Sequence, residues 1–293
     1  MKKRKLAALG LAALCTSSCT SLLIKPLDET VKYDNVYLIM GQSNASGVSP
    51  WSFLETKNKE IYDKYNVGND KVLMSYDVYS REDKEFKPTK FGFTDTDPFF
   101  GPEIGIAEEL SKVEEKSYII KASLGGSCLQ SQYINKYGIK YSLYFRFINF
   151  IKDRVQYLSS IGLNPRIKGV FWMQGETDAV LYPAEDYYYA EKLLFENLIT
   201  DLRTWIYGYI NFVDAYISTK SIIWTNPQII NECKQKLADE NEHIYCIKTN
   251  GEDEESLDLY LKSQTGEDEN DPAHYDSLSM LALGQAAAKY LIK

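Results

Sequence analysis

The chain has 293 residues, 44% of them hydrophobic, which is enough for one large folded core. Its formal net charge of −8 and pI near 5.0 argue against nucleic acid as a partner, because proteins that bind nucleic acid usually present a basic face. Acidic residues crowd between Glu252 and Glu269. We interpret this run as a solvated loop, since it lacks the regular alternation of a calcium-binding loop.

The N-terminus has the pattern of an export signal. Residues 2–5 are basic, and the apolar run 6–15 is too short to span a bilayer. The sequence Thr16-Ser17-Ser18-Cys19 then resembles a bacterial lipoprotein processing site with Cys19 as the lipidated residue, although Thr16 stands where that motif usually has Leu. A plain secretory peptide is the alternative. In either case we expect the protein to be exported, either anchored to a bacterial membrane on the periplasmic or cell-surface side or secreted.

We therefore predict a signal peptide over 1–18, a tether over 19–34 and a single folded domain over 35–293. Export permits disulfides, and three cysteines lie in the predicted domain: Cys128, Cys233 and Cys246. An odd number cannot pair completely within one chain, so either Cys233 pairs with Cys246 or all three are buried free thiols. We interpret Cys128 as structural.

Segments typical of strands and helices alternate along the chain, which predicts a parallel sheet covered by helices on both faces. The five main strands are predicted at 36–40, 118–123, 170–173, 222–224 and 244–247. The helices are predicted from Pro102 to Leu110 and at 144–158, 184–206, 227–237 and 277–291. Residues 46–100 are rich in turn signals, and we expect them to form an insertion over the site, with short strands such as 71–76.

Two polar segments follow the first two predicted strands, at the edge where parallel sheets bind ligands. Gly41-Gln42-Ser43-Asn44 offers a serine that can act as a nucleophile, although many serines in this position only cap helices. Ser123-Leu124-Gly125-Gly126-Ser127 offers backbone N–H groups that no side chain obstructs, as an oxyanion hole requires. A simple tight turn is the alternative for the glycine pair.

Two further segments carry the remaining candidate groups. In 172–178, the Gln174 amide can donate to a developing oxyanion and Glu176 can orient a base or hold the loop, unless both belong to a purely structural network. In Asp271-Pro272-Ala273-His274, the aspartate can hold the imidazole Nδ1–H and leave Nε2 free to accept the serine proton. The other histidine, His243, opens a predicted strand and is interpreted as a packed or surface imidazole.

The four segments, in this order and spacing, resemble the SGNH-hydrolase superfamily, and more narrowly its sialate O-acetylesterase and carbohydrate esterase family six branch. The likeness covers about residues 34–292. It implies a three-layer α/β/α sandwich with a roughly five-stranded parallel sheet, of flavodoxin-like type, and removal of acetyl groups from sugar hydroxyls without a metal or other cofactor. Zinc-site spacings are also absent from the sequence, so we expect activity to be insensitive to EDTA.

The resemblance also implies roles for individual residues. Ser43 is the nucleophile, His274 the general base, and Asp271 the acid that orients it, with a glutamate at position 176 as the alternative acid. The implied oxyanion donors are Ser43, Gly126 and Gln174. The implied substrate-binding residues are Gln42, Asn44, Gly125 and Glu176.

Three functions fit the sequence to different degrees. The first is an exported serine esterase acting on O-acetylated carbohydrate, such as sialic acid, xylan or another glycan. The second is a surface lipoprotein of the same fold that binds carbohydrate without catalysis, which the 23 Tyr and 4 Trp residues would suit. The third, a lipase or thioesterase, needs an extended apolar channel for which residues 46–100 give no clear pattern. Oligomeric state cannot be predicted from this sequence.

Overall fold

The computed structural model describes residues 24–293. The predicted signal peptide and the predicted lipidation residue Cys19 therefore lie outside the described residues. Within 24–293, no helix is both long enough and apolar enough to cross a bilayer.

A seven-stranded sheet forms the centre of the described chain. The strands are β1 (Asp34–Gly41), β2 (Ser49–Pro50), β3 (Asn69–Asp77), β4 (Glu82–Thr89), β5 (Phe99–Phe100), β6 (Ser117–Ser123), β7 (Pro165–Met173), β8 (Asn211–Ala215) and β9 (Ile244–Ile247). The order in the sheet is β4-β3-β6-β1-β7-β8-β9, while β2 pairs only with β5. All neighbours in the large sheet are parallel except β3 and β4, which are antiparallel.

Helices cover both faces of this sheet. They are α1 (Ser43–Ser46), α2 (Ser52–Lys57), α3 (Lys59–Val67), α4 (Glu103–Val113), α5 (Ser142–Ser160), α6 (Asp178–Leu181), α7 (Tyr187–Leu202), α8 (Pro227–Asp239), α9 (Lys262–Thr265) and α10 (Ser277–Leu291). Helices α4 and α10 pack on one another, whereas α5, α7 and α8 form a second group with its own contacts to the sheet. The predicted three-layer α/β/α fold is confirmed.

Strand β1 lies at the middle of the sheet and its apolar core is fully buried. Residues 36–40 are at most 1% exposed, as expected for a parallel strand covered on both faces. The strand ends at Gly41, which has a φ of +140°. A Cβ at this position would lie 1.9 Å from the carbonyl oxygen of Met173 on β7, so only glycine allows the chain to turn here. The turn places Ser43 at the carboxyl edge of the sheet.

One predicted strand is wrong. Residues 222–224 form no strand, and Ile222 is 89% exposed, whereas the fourth of the expected strands is β8, at Asn211–Ala215. The apolar pattern of β8 is interrupted by two buried polar residues with partners of their own. The Asn211 amide donates to the carbonyl of Tyr290, and Asp214 pairs with Lys234 at 2.6 Å. Internal pairing of this kind lets polar side chains occupy a core strand, which a search for apolar runs overlooks.

Residues 46–100, predicted as an insertion, contribute two strands to the large sheet. Strand β3 contains the predicted segment 71–76 and pairs in parallel with β6, and β4 adds an antiparallel edge. The sheet therefore has six parallel strands among its seven, where we expected about five. The long helix predicted at 184–206 is α7, with a short 3₁₀ turn on each side, at 184–186 and 203–205.

Candidate active site

The carboxyl ends of three adjacent strands meet at one edge of the sheet. Gly41 at the end of β1 is in register with Ser123 on β6 and with Met173 on β7. Hydrogen bonds across this edge fix the turn, because the N–H of Gln42 donates to the carbonyl of Met173 at 2.9 Å. The loops that carry three of the four predicted segments therefore start side by side.

The structure brings Ser43, His274 and Asp271 into one hydrogen-bonded chain. The Ser43 hydroxyl lies 2.9 Å from His274 Nε2, although the two residues are 231 positions apart in the sequence. His274 Nδ1 lies 2.9 and 2.8 Å from the two carboxylate oxygens of Asp271. Since a carboxylate only accepts, Nδ1 carries the proton and Nε2 accepts from the serine. The nucleophile and the base both remain accessible, with Ser43 half-buried and the His274 side chain 24% exposed.

Asp271 is held rigidly in its turn. Its Oδ1 accepts hydrogen bonds from the backbone N–H groups of Ala273 and His274 at 3.1 and 3.2 Å. Its Oδ2 also contacts the ammonium of Lys262. Although partial burial acts in the opposite direction, the hydrogen bonds from His274 and Lys262 hold the pKa of Asp271 well below its usual range. The carboxylate is therefore ionised and correctly placed to orient the imidazole.

Glu176, the alternative acid, occupies a different position. It is 1% exposed and its Oε1 accepts a 2.8 Å hydrogen bond from the side chain of Asn44. Asn44 in turn accepts from the backbone N–H of Tyr275, next to His274. Burial raises the pKa of Glu176, and the hydrogen bond from Asn44 opposes that effect. The Asn44–Glu176 pair thus links the loops of β1 and β7 beneath the serine, while Asp271 is the carboxylate in contact with His274.

The glycine loop after β6 passes beside Ser43. A Cβ at Gly125 would lie 3.7 Å from Ser43 Cβ, and Gly126 has a φ of +67°. Within the described part of the chain, the backbone N–H groups of Ser43 and Gly126 donate no hydrogen bond. The loop is anchored by Asp178, which accepts from the N–H groups of Leu129 and Gln130 at 2.8 and 3.1 Å.

Gln174 does not face the cleft, contrary to the expectation that it donates to an oxyanion. Its side chain is fully buried, and its amide nitrogen donates to Asp178 at 2.7 Å and to the carbonyl of Ser127 at 3.0 Å. Both N–H bonds are used within the protein. Gln42 is also buried, with its amide 3.1 Å from that of Gln174. These two side chains, like Asn44 and Glu176, support the loops from inside and do not line the cleft.

Two residues near the site were not predicted. Lys262 lies in the acidic stretch before Asp271 and carries no motif of its own. Asp95 approaches from the insertion, since a Cβ at Gly125 would lie 3.8 Å from its Oδ2, and its Oδ1 accepts from Ser80 at 2.8 Å. No sequence signal marks either residue, because Lys262 lies in an acidic stretch and Asp95 lies far from Gly125 in the sequence.

The remaining candidate residues lie outside the hydrogen-bonded chain of Ser43. The His243 ring stacks on that of Tyr209 with centroids 4.7 Å apart. The three described cysteines are free. Cys128 is buried and its Sγ lies 3.1 Å from Asp178, and burial followed by the charge of Asp178 raises the pKa of its thiol to about 12. A thiol with so high a pKa fits a structural role.

The structure is an α/β fold with a serine, a histidine and an aspartate joined by hydrogen bonds at the carboxyl edge of its sheet. Residues 33–293 match the family model described as carbohydrate esterase, sialic acid-specific acetylesterase, and the chain belongs to this family. The resemblance to the sialate O-acetylesterase branch of the SGNH hydrolases is thereby confirmed. The chain is a carbohydrate acetylesterase by family.

Solved structures with the same fold are distant in sequence. A protein from Arabidopsis thaliana is 19% identical with a TM-score of 0.62, and the match covers 89% of this chain and 98% of that one. The structure of NanS is 14% identical with a TM-score of 0.61, covering 92% and 98%. A carbohydrate acetylesterase from Xanthomonas citri is 15% identical with a TM-score of 0.55, and the match covers 87% of this chain and 55% of the Xanthomonas chain. No curated protein matches the chain.

Proposed function

We propose that this protein is an exported serine esterase that removes O-acetyl groups from carbohydrate, with Ser43 as nucleophile, His274 as general base and Asp271 as the orienting acid. The observation that carries the proposal is the hydrogen-bonded chain from Ser43 through His274 to Asp271, at 2.9 Å and 2.8 Å. A nucleophile, a base within hydrogen-bond reach and a third group that orients the base are the parts that acyl transfer requires.

In this mechanism Ser43 attacks the acetyl carbonyl while His274 Nε2 accepts the hydroxyl proton. The imidazolium is stabilised by Asp271 and then gives the proton to the sugar oxygen as its bond to the acetyl carbon breaks, which releases the sugar hydroxyl. An acetyl-serine intermediate remains, and a water activated by His274 releases it as acetate. The base therefore acts twice, and Asp271 keeps its Nδ1 proton in place through both steps.

The developing oxyanion is bound by the backbone N–H groups of Ser43 and Gly126. Neither group has another partner within the described residues, and both lie where the β1 and β6 loops approach one another. Each donor of this kind typically contributes about 10²–10³ in rate. The Gln174 amide is left out of this set because its hydrogen bonds are made within the protein.

The substrate is an acetylated sugar or glycan, which the family description supports without selecting between sialic acid, xylan and related polymers. Export rests on the N-terminal pattern, with Cys19 as the lipid anchor or, alternatively, a plain secretory peptide. Acetate release from a panel of acetylated sialic acids and xylan fragments measures the preference directly.

The central test compares wild type with Ser43→Ala and His274→Ala on 4-nitrophenyl acetate. We expect both variants to lose turnover by about 10³-fold or more while their circular dichroism spectra remain unchanged. Near-wild-type activity in either variant would refute the assignment. A serine-directed organophosphonate distinguishes the esterase from a protein that only binds carbohydrate, because an esterase becomes labelled at Ser43 and a pure binding protein does not react.

A further inference from the structure

A buried lysine contacts the acid of the proposed mechanism. Lys262 is the first residue of α9, and its side chain is 5% exposed. Its ammonium forms an ion pair with Asp271 Oδ2, the same oxygen that lies 2.8 Å from His274 Nδ1. One carboxylate oxygen is therefore shared between an imidazole and an ammonium group.

The same ammonium also reaches the loop of the nucleophile. Lys262 Nζ donates a 3.0 Å hydrogen bond to the carbonyl of Val48, which follows the short helix that begins at Ser43. Its own backbone N–H donates to the carbonyl of His274 at 2.9 Å. One residue thus connects the loop of the nucleophile, the acid and the backbone of the base.

Burying a lysine is costly unless its charge is paired and its donors are used. Lys262 meets this condition with the carboxylate of Asp271 and the carbonyl of Val48, and its ammonium also lies 5.4 Å from the centre of the Phe99 ring. A surface ion pair without a role in the site would gain little from such an arrangement. The buried ammonium is thus placed where it contacts both Asp271 and Val48.

We propose that Lys262 is a positioning residue for catalysis, which fixes the Asp271 carboxylate between His274 and the nucleophile loop and moderates its charge. This proposal rests on the proposed function. By sharing Oδ2, the ammonium offsets part of the negative charge that Asp271 presents to the imidazole. It also prevents the aspartate from rotating away when the imidazole moves during proton transfer.

The other groups around this pair are few. Glu176, on the β7 loop, interacts electrostatically with the imidazole. Ser43 faces Nε2, and Asp95 lies near Gly125. Glu176 and Asp95 are the other acidic residues, whereas Lys262 is the cation in direct contact with Asp271. The direction in which removal of Lys262 shifts the pH dependence of activity can therefore be predicted.

The test is the pH dependence of kcat and kcat/KM for Lys262→Met and Lys262→Gln with 4-nitrophenyl acetate. We expect kcat to fall about 10-fold with little change in KM, because Lys262 positions groups without touching substrate. We also expect the acidic limb of kcat/KM to move to higher pH by about one unit, because the lost ammonium no longer opposes protonation of the base. Lys262→Arg should retain the wild-type limb.

Lys220 provides a matched control. Its ammonium pairs with Asp258 and donates to the carbonyl of Leu259 at 2.8 Å, so Lys220→Met removes a similar ion pair and carbonyl contact away from Asp271. We expect this variant to leave the acidic limb in place. A second control is the Asp271→Asn background, in which Lys262→Gln should cause little further loss, since residues acting through one another are not additive.

The outcomes separate the two proposals. If wild type shows no esterase activity on any acetyl ester, the proposed function itself fails. If wild type is active, but folded Lys262→Gln keeps both its rate and its acidic limb, Lys262 has no positioning role. An undiminished effect in the Asp271→Asn background would also overturn the proposal. Should Lys262→Met fail to fold, Lys262→Gln and Lys262→Arg still decide, because a purely structural lysine lowers the folded fraction without moving the limb.

Discussion

Asp271 lies within 2.9 Å of His274 through both carboxylate oxygens, whereas Glu176, the other acid suggested by the sequence, is hydrogen-bonded to Asn44. Only one of the two carboxylates is therefore in contact with the imidazole. The two acids have separate places in the same site, one beside the base and one beneath the nucleophile turn.

The first prediction follows from this division. We expect Asp271→Asn to lower kcat by roughly 10²–10⁴-fold, because an asparagine can leave the imidazole in the wrong tautomer. Glu176→Gln should lower kcat far less, since the glutamine still accepts a hydrogen bond from Asn44. Steady-state kinetics at one pH for both variants measures the difference. The reverse order would assign the orienting role to Glu176.

The second prediction concerns the stability contribution of Glu176. Because burial raises its pKa, the folded chain binds this proton more tightly than the unfolded chain does. The contribution of protonated Glu176 to the free energy of unfolding is fully present below the ordinary glutamate pKa of about 4.3. It is lost as the pH rises through the higher pKa that Glu176 has in the folded chain. Glu176→Gln removes this loss, so the difference in Tm between variant and wild type should be more positive at pH 8 than at pH 4.

Thermal unfolding followed by circular dichroism at the two pH values checks this result. The same substitution at exposed Glu55 is the surface control. A Tm difference that is constant with pH would show that burial of Glu176 imposes no cost on its ionised form.

The third prediction separates the backbone conformation of Gly126 from its catalytic N–H group. A Cβ at Gly126 meets no atom within 4 Å, but its φ of +67° lies in the left-handed region. Gly126→Ala should therefore cost about 1–2 kcal/mol of stability. If the backbone turns to relieve this strain, the oxyanion loses a donor, and kcat falls by up to about 10²–10³-fold.

Gly138 is a close structural control for this variant. It has a φ of +81° and equally open space around its missing side chain, but it lies in the turn before α5. Gly138→Ala should lower Tm by a similar amount and leave kcat unchanged. Equal losses of kcat in both variants would mean that Gly126 contributes only conformation.

The fourth prediction tests the N-terminal processing site. If Cys19 carries the lipid, Cys19→Ala should move the protein from the membrane fraction to the soluble fraction, as two acyl chains are enough for stable anchoring. Cys15→Ala is the control, since bulky Leu14 precedes that residue, and it should remain in the membrane fraction. Fractionation followed by immunoblotting and mass measurement of the mature N-terminus gives the answer. A soluble wild-type protein would favour the plain secretory peptide.

Most residues of the site could be predicted from the sequence, because these residues directly follow buried strands. Ser43, Gly126 and Glu176 each lie within a few positions of an apolar run, and parallel strands bring such positions to one edge. The partner of His274 was also suggested locally, by an aspartate three residues before it. What the sequence could not show was the direction of each side chain, so Gln174 was expected in the cleft although it donates inward.

Long-range contacts account for the remaining differences. Strand β8 was missed because Asn211 and Asp214 are polar, and their partners on α10 and α8 are distant in the chain. Lys262 was missed because a lysine in an acidic stretch is normally solvated, whereas the fold buries it against Asp271 and the distant Val48. Pairing between remote polar residues leaves no periodic pattern.

The hydrogen bond from Ser43 to His274 joins positions 231 residues apart, with most of the sheet in the intervening sequence. No fragment that lacks either end of this span can assemble the site. Hydrolytic activity consequently reports whether the whole domain is folded. In a urea titration, loss of turnover should coincide with loss of ellipticity. A variant library screened for hydrolysis would report, in the same measurement, how many substitutions the architecture tolerates.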